Sequence, residues 1–229
     1  MGTDHLGRDI ASRMLHGARI SIGVGAAVVV LSCAIGVMLG LLGGYLGRAG
    51  DALMRVVDGM LAFPELILAL ALIAALGSSI KNVIIALTFV FVPRVARSIH
   101  ANVLSMRSRE FVMAAVAMGC SRFQIAVRHL LPQALGLISV QATFIFAHAV
   151  ISEASLTFLG VGLPPGSASW GAILSDGRDH LLDAPWITTI PGLAILILVL
   201  CLNILGDNLR DGFDPRAGNP RLGRARRPK

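Results

Sequence analysis

Three carboxylates, Asp58, Glu65 and Glu153, fall inside long apolar stretches of this chain, and His148 lies five positions before the last of them. An ionisable group at hydrocarbon depth is costly and marks a relay, a cavity or a partner, so these residues are the first candidates for chemistry. His148 and Glu153 could form a proton relay or part of a metal site. Positions five apart on a helix point well away from each other, however, so buried hydrogen bonding or helix packing fits the spacing better. Glu65 follows Pro64, which predicts a kink, and its carboxylate must face water, a cavity or a partner rather than lipid. Other reaction chemistries lack their residues. The only lysines, Lys81 and Lys229, do not end a Gly-x4-Gly-Lys-Ser/Thr loop, so the chain has no phosphate cradle of its own. There is no His-Glu-x-x-His, and the serines of "GSASWG" sit in no strand-to-helix elbow. Cys33, Cys120 and Cys201 are odd in number and far apart, without metal-ligand spacing. No catalytic residue, metal ligand or cofactor is expected.

A different kind of site is written in "EFVMAAVAMGCSRFQIAVRHLLPQ", residues 110–133, which is helix-forming and bracketed by arginines. Ser108 is the expected N-cap, Glu110 lies in the first turn where the helix dipole favours it, and Gly119 is the expected stop. The resulting helix of about three turns is too short to span a membrane. Its middle, Phe111 to Met118, is apolar on every side, which a solvated helix would not be. Ser121 is then expected to cap a second helix with Phe123, Ala126, Val127, Leu130 and Leu131 on one face. Pro132 suits the end of that helix or the opening of the next span. Two short helices joined by a glycine can plug a groove on a partner protein or pack on this chain's own span ends.

The elements that hold these residues are set by composition. The chain has 229 residues, 55% hydrophobic and 14% charged, and a mean hydropathy of +0.76, which marks an integral membrane protein. Crossing the hydrocarbon core takes roughly 20 mostly apolar residues. Ile20–Leu46 meets this without a charge, and Met54–Leu76, Asn82–Ile99, Ala134–Leu156 and Trp186–Gly206 are further candidates. In the third of these the uncharged run ends at Arg94, so a span there requires its arginines to snorkel to the interface. Gly36, Gly40 and Gly44 recur every four residues and line one face of the first span, where small residues let another helix approach closely. Trp170 and Trp186 read as interface anchors.

Charge asymmetry orients the spans. Fifteen of the twenty Lys and Arg residues fall on one side if Arg48, Arg55, the region from Arg94 to Arg128 and the tail from Arg210 to Lys229 share it. The positive-inside rule puts that side, and the C-terminus, in the cytoplasm. The net charge of +7 is accounted for by this topology, and with one tyrosine in the chain to stack bases, nucleic-acid binding is excluded. Five spans with the C-terminus inside put residues 1–19 outside, although "MGTDHLGRDIASRMLHGAR" has no apolar leader. A further span before it is the expected explanation.

"MAAVAMG" followed by "HLLP" resembles the cytoplasmic loop of ABC-importer permeases, whose pattern is Glu-Ala-Ala, three residues, Gly, nine residues, Ile, one residue, Leu-Pro. Ala114, Ala115, Gly119, Leu131 and Pro132 match in register, while Met113 stands where the family has Glu and His129 where it has Ile. "GTDHLGRDIASRMLHGARISI", "AFPELILALAL", "EASLTFLGVGLPP", "SWGAILSDGRDHLLDAPW" and "NILGDNLRDGFDPR" are similar to the C-type permease subunit of dipeptide, oligopeptide and nickel importers. The resemblance runs from Gly2 to about Arg216, and members usually carry one more span before the "GTD" segment.

The resemblance implies an all-α integral membrane protein with the type I ABC-importer permease bundle, about five transmembrane helices here, in a bacterial cytoplasmic membrane. It implies an external segment 1–19, a permease domain over 20–206 and a cytoplasmic basic tail over 207–229. Within the permease domain it implies a coupling loop near 100–133 and an external loop near 157–185. It further implies four kinds of neighbour: a second homologous permease, two cytoplasmic ATP-binding subunits, an extracytoplasmic substrate-binding protein touching the external loop, and the membrane. Glu110, Phe111, Met113, Ala114, Ala115, Met118, Gly119, Leu131 and Pro132 would then meet the ATPase, with Met113 exchanging a polar contact for an apolar one. The leading cargo is a di- or oligopeptide, with nickel or a nickel chelate as the alternative. An ion-driven secondary transporter, the competing class, would need paired intramembrane carboxylates or broken-helix repeats.

Overall fold

The computed structural model describes residues 2–4, 6–164 and 166–213; the basic tail from residue 214 onward lies outside them. The first helix, α1 (Ile10–Tyr45), begins ten residues before the apolar run does. Asp9 caps it, its carboxylate accepting from the Ala11 and Ser12 N–H groups at 3.3 and 2.9 Å. Hydropathy starts a span where charges stop, whereas the backbone ladder continues through Arg13 and Arg19. At about 1.5 Å per residue, 36 residues run well beyond the roughly 30 Å hydrocarbon core.

The second candidate span is broken rather than kinked. It consists of α2 (Arg48–Leu61) and α3 (Glu65–Leu76), which meet at 94°. Pro64, at φ −59° and ψ 130°, is extended, and a residue before proline is steered away from helix, so the ladder ends there. The twelve residues of α3 reach about 18 Å, too short to cross alone. α2 is amphipathic: Met54 and Val57 turn inward while Val56 and Leu61 are exposed.

α4 (Ile80–Arg107) is capped by Ser79, whose hydroxyl accepts from Asn82 N–H at 3.1 Å. It is the most buried of the candidate spans. Its length accommodates Pro93 and Arg94 in the interior; Arg94 does not snorkel but donates to the Glu65 carboxylate at the start of α3. α7 (Leu131–Phe158) and α9 (Trp186–Phe213) return across the bundle, and the short α8 (Trp170–Gly177) wedges between them. Among the described residues, four helices are thus long and apolar enough to cross a membrane, five if α2 and α3 count as one span.

The centre is the seam between α1 and α4, the most extensive helix pair among the described residues. The glycines of α1 make it possible. A Cβ on Gly36 would lie 2.5 Å from Val95 Cβ, and one on Gly40 would lie 2.7 Å from Ala96 O and Ile99 Cβ. One on Gly44 would run into Val103. Val24, Phe91, Ile99 and Ile145 fill the adjoining core. A second cluster of Ile10, Val150, Trp170, Ile173 and Ile187 joins the start of α1 to α7, α8 and α9.

Gly40→Leu is expected to force α1 off α4 and to destabilise the chain by at least about 1–3 kcal/mol. A Cβ on Gly23 meets nothing within 4 Å, so Gly23→Leu is the matched control. Thermal unfolding in mild detergent checks the pair: the midpoint should drop for the first and hold for the second, and equal midpoints contradict the seam.

Candidate functional site

α4 runs past the core to Arg107, and the chain then turns into α5 (Glu110–Ala117). Ser108 ends α4 instead of capping α5; the N-cap is Arg109, in extended conformation with no side-chain cap bond. Gly119 stops α5 at φ +80°, a conformation that costs glycine little. The Gly119 N–H bonds to Val116 O at 3.0 Å and the Cys120 N–H to Ala115 O at 3.1 Å, the paired closure of a Schellman motif. Ser121 then opens α6 (Arg122–Ile125) with a reciprocal capping box. Its hydroxyl accepts from Gln124 N–H at 3.3 Å, and Gln124 Oε1 accepts from Ser121 N–H at 2.8 Å.

α6 does not end as a separate short helix. Residues Ala126–Leu130 form a π-helical turn that leads directly into α7, with the Leu131 N–H reaching back to Ala126 O. Pro132 lies in the first turn of α7, and its missing N–H leaves the preceding turn free to widen. Of the expected face, Phe123, Ala126 and Val127 line one apolar cleft with Met38, Leu41 and Leu42 of α1. Ile125, Ala126 and Leu130 are buried, whereas Phe123 is 77% exposed and Val127 is exposed.

The two short helices therefore divide their residues sharply. Val112 and Ala115 point into the chain's own core, Ala115 being 1% exposed. Phe111, Cys120 and Leu131 are half-buried. Glu110, Met113, Ala114, Val116, Met118, Gly119 and Pro132 are exposed. Met113, Val116, Met118 and Phe123 make up an uncovered apolar surface, and a groove of about 540 Å³ opens beside it, lined by Tyr45, Arg107, Met113, Val116 and Arg122 among others. Arg107 and Arg122 tie the pair to the end of α1 by donating to Gly44 O at 3.4 Å and Tyr45 O at 3.2 Å.

At the opposite end of the bundle, polar groups fasten the segment before α1. The Asp4 carboxylate accepts from the N–H groups of Leu6 and Arg8 at 2.9 and 2.8 Å, an Asx-type turn. Arg8 and Arg13 each bridge Asp4 to Asp176 of α8, at 2.6 and 3.2 Å for Arg8 and at 2.8 and 2.7 Å for Arg13. Sequence reasoning missed this network; the signal was the acidic and basic alternation in "TDHLGRD", whose partner lies more than 160 positions away. Trp170 is buried and donates to Met14 O at 3.1 Å, so it is a core residue rather than an interface anchor. Trp186 stays partly exposed, with its indole N–H 3.4 Å from Thr3 O. Glu153 is fully buried, accepting from Ser21 at 2.9 Å and Thr157 at 3.1 Å, while Ser21 also accepts from Trp170 N–H at 3.2 Å. His148 turns away from Glu153 and toward Glu65, with Nδ1 3.9 Å from a carboxylate oxygen.

An all-α bundle of four or five apolar helices, with a broken pair and a short helix pair at one end, defines an integral membrane protein with the type I ABC-importer permease fold. Its backbone is similar to a chain of the MetNI methionine ABC transporter in an inward-facing conformation, with a TM-score of 0.74 over 89% of this chain and 97% of that one, at 20% identity. The family described as "Binding-protein-dependent transport system inner membrane component" matches residues 36–219, and this chain belongs to it. The chain is 44% identical over 216 residues to the dipeptide transport system permease protein DppC of Alkalihalophilus pseudofirmus, covering 94% of this chain and 71% of that protein. It is 41% identical over 220 residues to the di/tripeptide transport system permease protein DppC of Pseudomonas aeruginosa strain UCBPP-PA14, covering 96% and 73%. A broken helix is also a device of ion-driven carriers, but family membership puts this one in a binding-protein-dependent system.

The Asp4 network makes a pH prediction. Burial pushes the Asp4 carboxyl up, but the Arg8 N–H, the Arg8 guanidinium and the Leu6 N–H outweigh it and hold the pKa at about 2. A carboxyl lowered on folding gives stability that is complete above its unfolded value and lost as pH falls through the folded one. Protection of the Leu6 and Arg8 amides, corrected for intrinsic exchange, is therefore expected to hold above 3.8 and to fall as pH drops through about 2. Asp4→Asn should reproduce the loss at neutral pH; unchanged protection in that variant contradicts the assignment.

Proposed function

We propose that this chain is the permease subunit of an ATP-driven importer of di- or oligopeptides. It forms half of the translocation pathway beside a second, homologous permease. Two ATP-binding subunits sit at the α5 end, in the cytoplasm with the C-terminus, and an external binding protein delivers cargo to the end that carries α8. Hydrolysis belongs to the ATP-binding subunits, since the chain has no phosphate-cradling loop. The peptide cargo is supported by the names of the relatives, which are dipeptide and di/tripeptide permeases.

The observation that carries the coupling role is the uncovered apolar surface of Met113, Val116, Met118 and Phe123. It projects from a rigid pair of capped helices whose other side, through Val112, Ala115 and Ile125, is seated in the bundle. A push on the exposed side is thereby transmitted to the ends of α4 and α7. The seating also separates two roles within one helix. Val116 meets the ATPase, and Ala115 holds the helix to its own chain.

Val116→Asp is expected to place an unpaired carboxylate in the docking surface. A buried unpaired charge costs about 3–5 kcal/mol, and each 1.4 kcal/mol is about tenfold in affinity, so ATPase binding should weaken about a hundredfold or more. Permease abundance should stay normal. Ala115→Asp should instead reduce abundance itself. Co-purification of the ATPase and peptide uptake, both normalised to permease level, distinguish the outcomes; normal uptake in Val116→Asp contradicts the coupling role.

A further inference from the structure

Glu65, Arg94 and His148 meet from three different helices, far from both ends of the bundle. Arg94 is fourteen residues from the first residue of α4 and thirteen from the last, about 20 Å from either end. Its guanidinium donates to Glu65, and its Cζ lies 4.7 Å from the centre of the Phe144 ring. Phe144 in turn lies against the His148 ring, with centroids 4.2 Å apart. One turn along α7, Gln141 donates to Ser98 of α4 at 3.1 Å. A cleft of about 190 Å³ opens here, lined by Arg94, Val140, Gln141 and Phe144.

The charged side chains are not sealed. Arg94, Glu65 and His148 keep 33, 35 and 40% of their side-chain surface exposed. Ionised groups at this depth do not face lipid, and Glu153, by contrast, is fully buried with hydrogen bonds from Ser21 and Thr157. An open ion pair at this depth faces water, a cavity or a partner rather than lipid, and the cleft beside it leaves room for a solute. Its chemistry also selects what else can come there. Arg94 presents donors for a carboxylate, Glu65 presents acceptors for an ammonium group, and the aromatic face of Phe144 favours a cation. A solute carrying both charges can replace the internal pair by two external ones without leaving an uncompensated charge in a low-dielectric site.

We propose that the Glu65–Arg94 pair lines the translocation path and is a transient site for zwitterionic cargo, Arg94 receiving the carboxylate and Glu65 the ammonium group. The proposal rests on the permease reading above and adds the residues that touch cargo within the membrane. No bond is made or broken; the pair opens for cargo and closes behind it.

The test uses the assembled, nucleotide-free transporter complex, in a background with Cys33, Cys120 and Cys201 replaced by Ser. Gln141→Cys, with Val140→Cys as a second position, is exposed to a membrane-impermeant maleimide. The reagent is expected to label either position. Millimolar Ala-Ala should slow labelling several-fold, N-acetyl-Ala-Ala-amide should not, and Arg94→Gln should abolish the protection while leaving labelling intact. Arg94→Gln and Glu65→Gln should each lower ATP-driven Ala-Ala uptake about tenfold or more, the effect of losing one charged hydrogen bond. No labelling at either position overturns the path. Labelling without protection, or equal protection by the uncharged analogue, overturns the site. Failure of the unaltered complex to take up any peptide would instead overturn the permease reading, so the two failures are distinguishable.

Discussion

Close approach of α1 and α4 is the constraint on which the rest of this structure depends. In hydrocarbon, no hydrophobic drive brings two apolar helices together, and packing must supply the contact. Gly36, Gly40 and Gly44 supply it by removing every side chain on one face, so that Val95, Ile99 and Val103 rest on bare backbone. α4 is thereby fixed along its length. It carries Arg94 in its middle, and from its far end hangs the helix pair proposed to meet the ATPase. A shift of α4 would move both.

Charge is handled in two ways that use the same vocabulary. Glu153 is closed off and hydrogen-bonded by hydroxyl donors, and with Ser21 it knits α1, α7 and the start of α8 into one block. Glu65 is left open and matched by a guanidinium, at the break between α2 and α3. The break is what allows this arrangement. Glu65 lies in the first turn of α3, where the helix dipole favours a carboxylate, and a continuous span would have no helix N-terminus at that depth.

What could be read from the chain before its fold was known followed local rules. The glycine spacing, the Gly119 stop and the Ser121 cap depend on neighbours within a few positions, and each is found where those rules put it. The failures involve distant or non-standard geometry. A 3.6-residue period does not foresee the π turn before Pro132, nor that Phe123 and Val127 stay exposed. Pro64 turns the chain by a right angle instead of bending it. Trp170 is buried because Met14 and Ile10, far away in sequence, come to cover it, and Arg94 is held in the middle of α4 with Glu65 there to meet it. Hydropathy records none of these partners. Ala115 is the instructive case for the candidate site, since its place in a family-like motif suggested a contact, whereas its orientation makes it a core residue.

The claim that this helix pair presents one face to the bundle and the other to an ATPase is tested most directly by cross-linking. Single cysteines at positions 113, 115 and 116, in a background with the native cysteines replaced, would be treated with a short bifunctional thiol and amine reagent in the assembled complex. The account predicts products with the ATP-binding subunit from positions 113 and 116 and none from position 115. A product from 115 with none from 116 would contradict it.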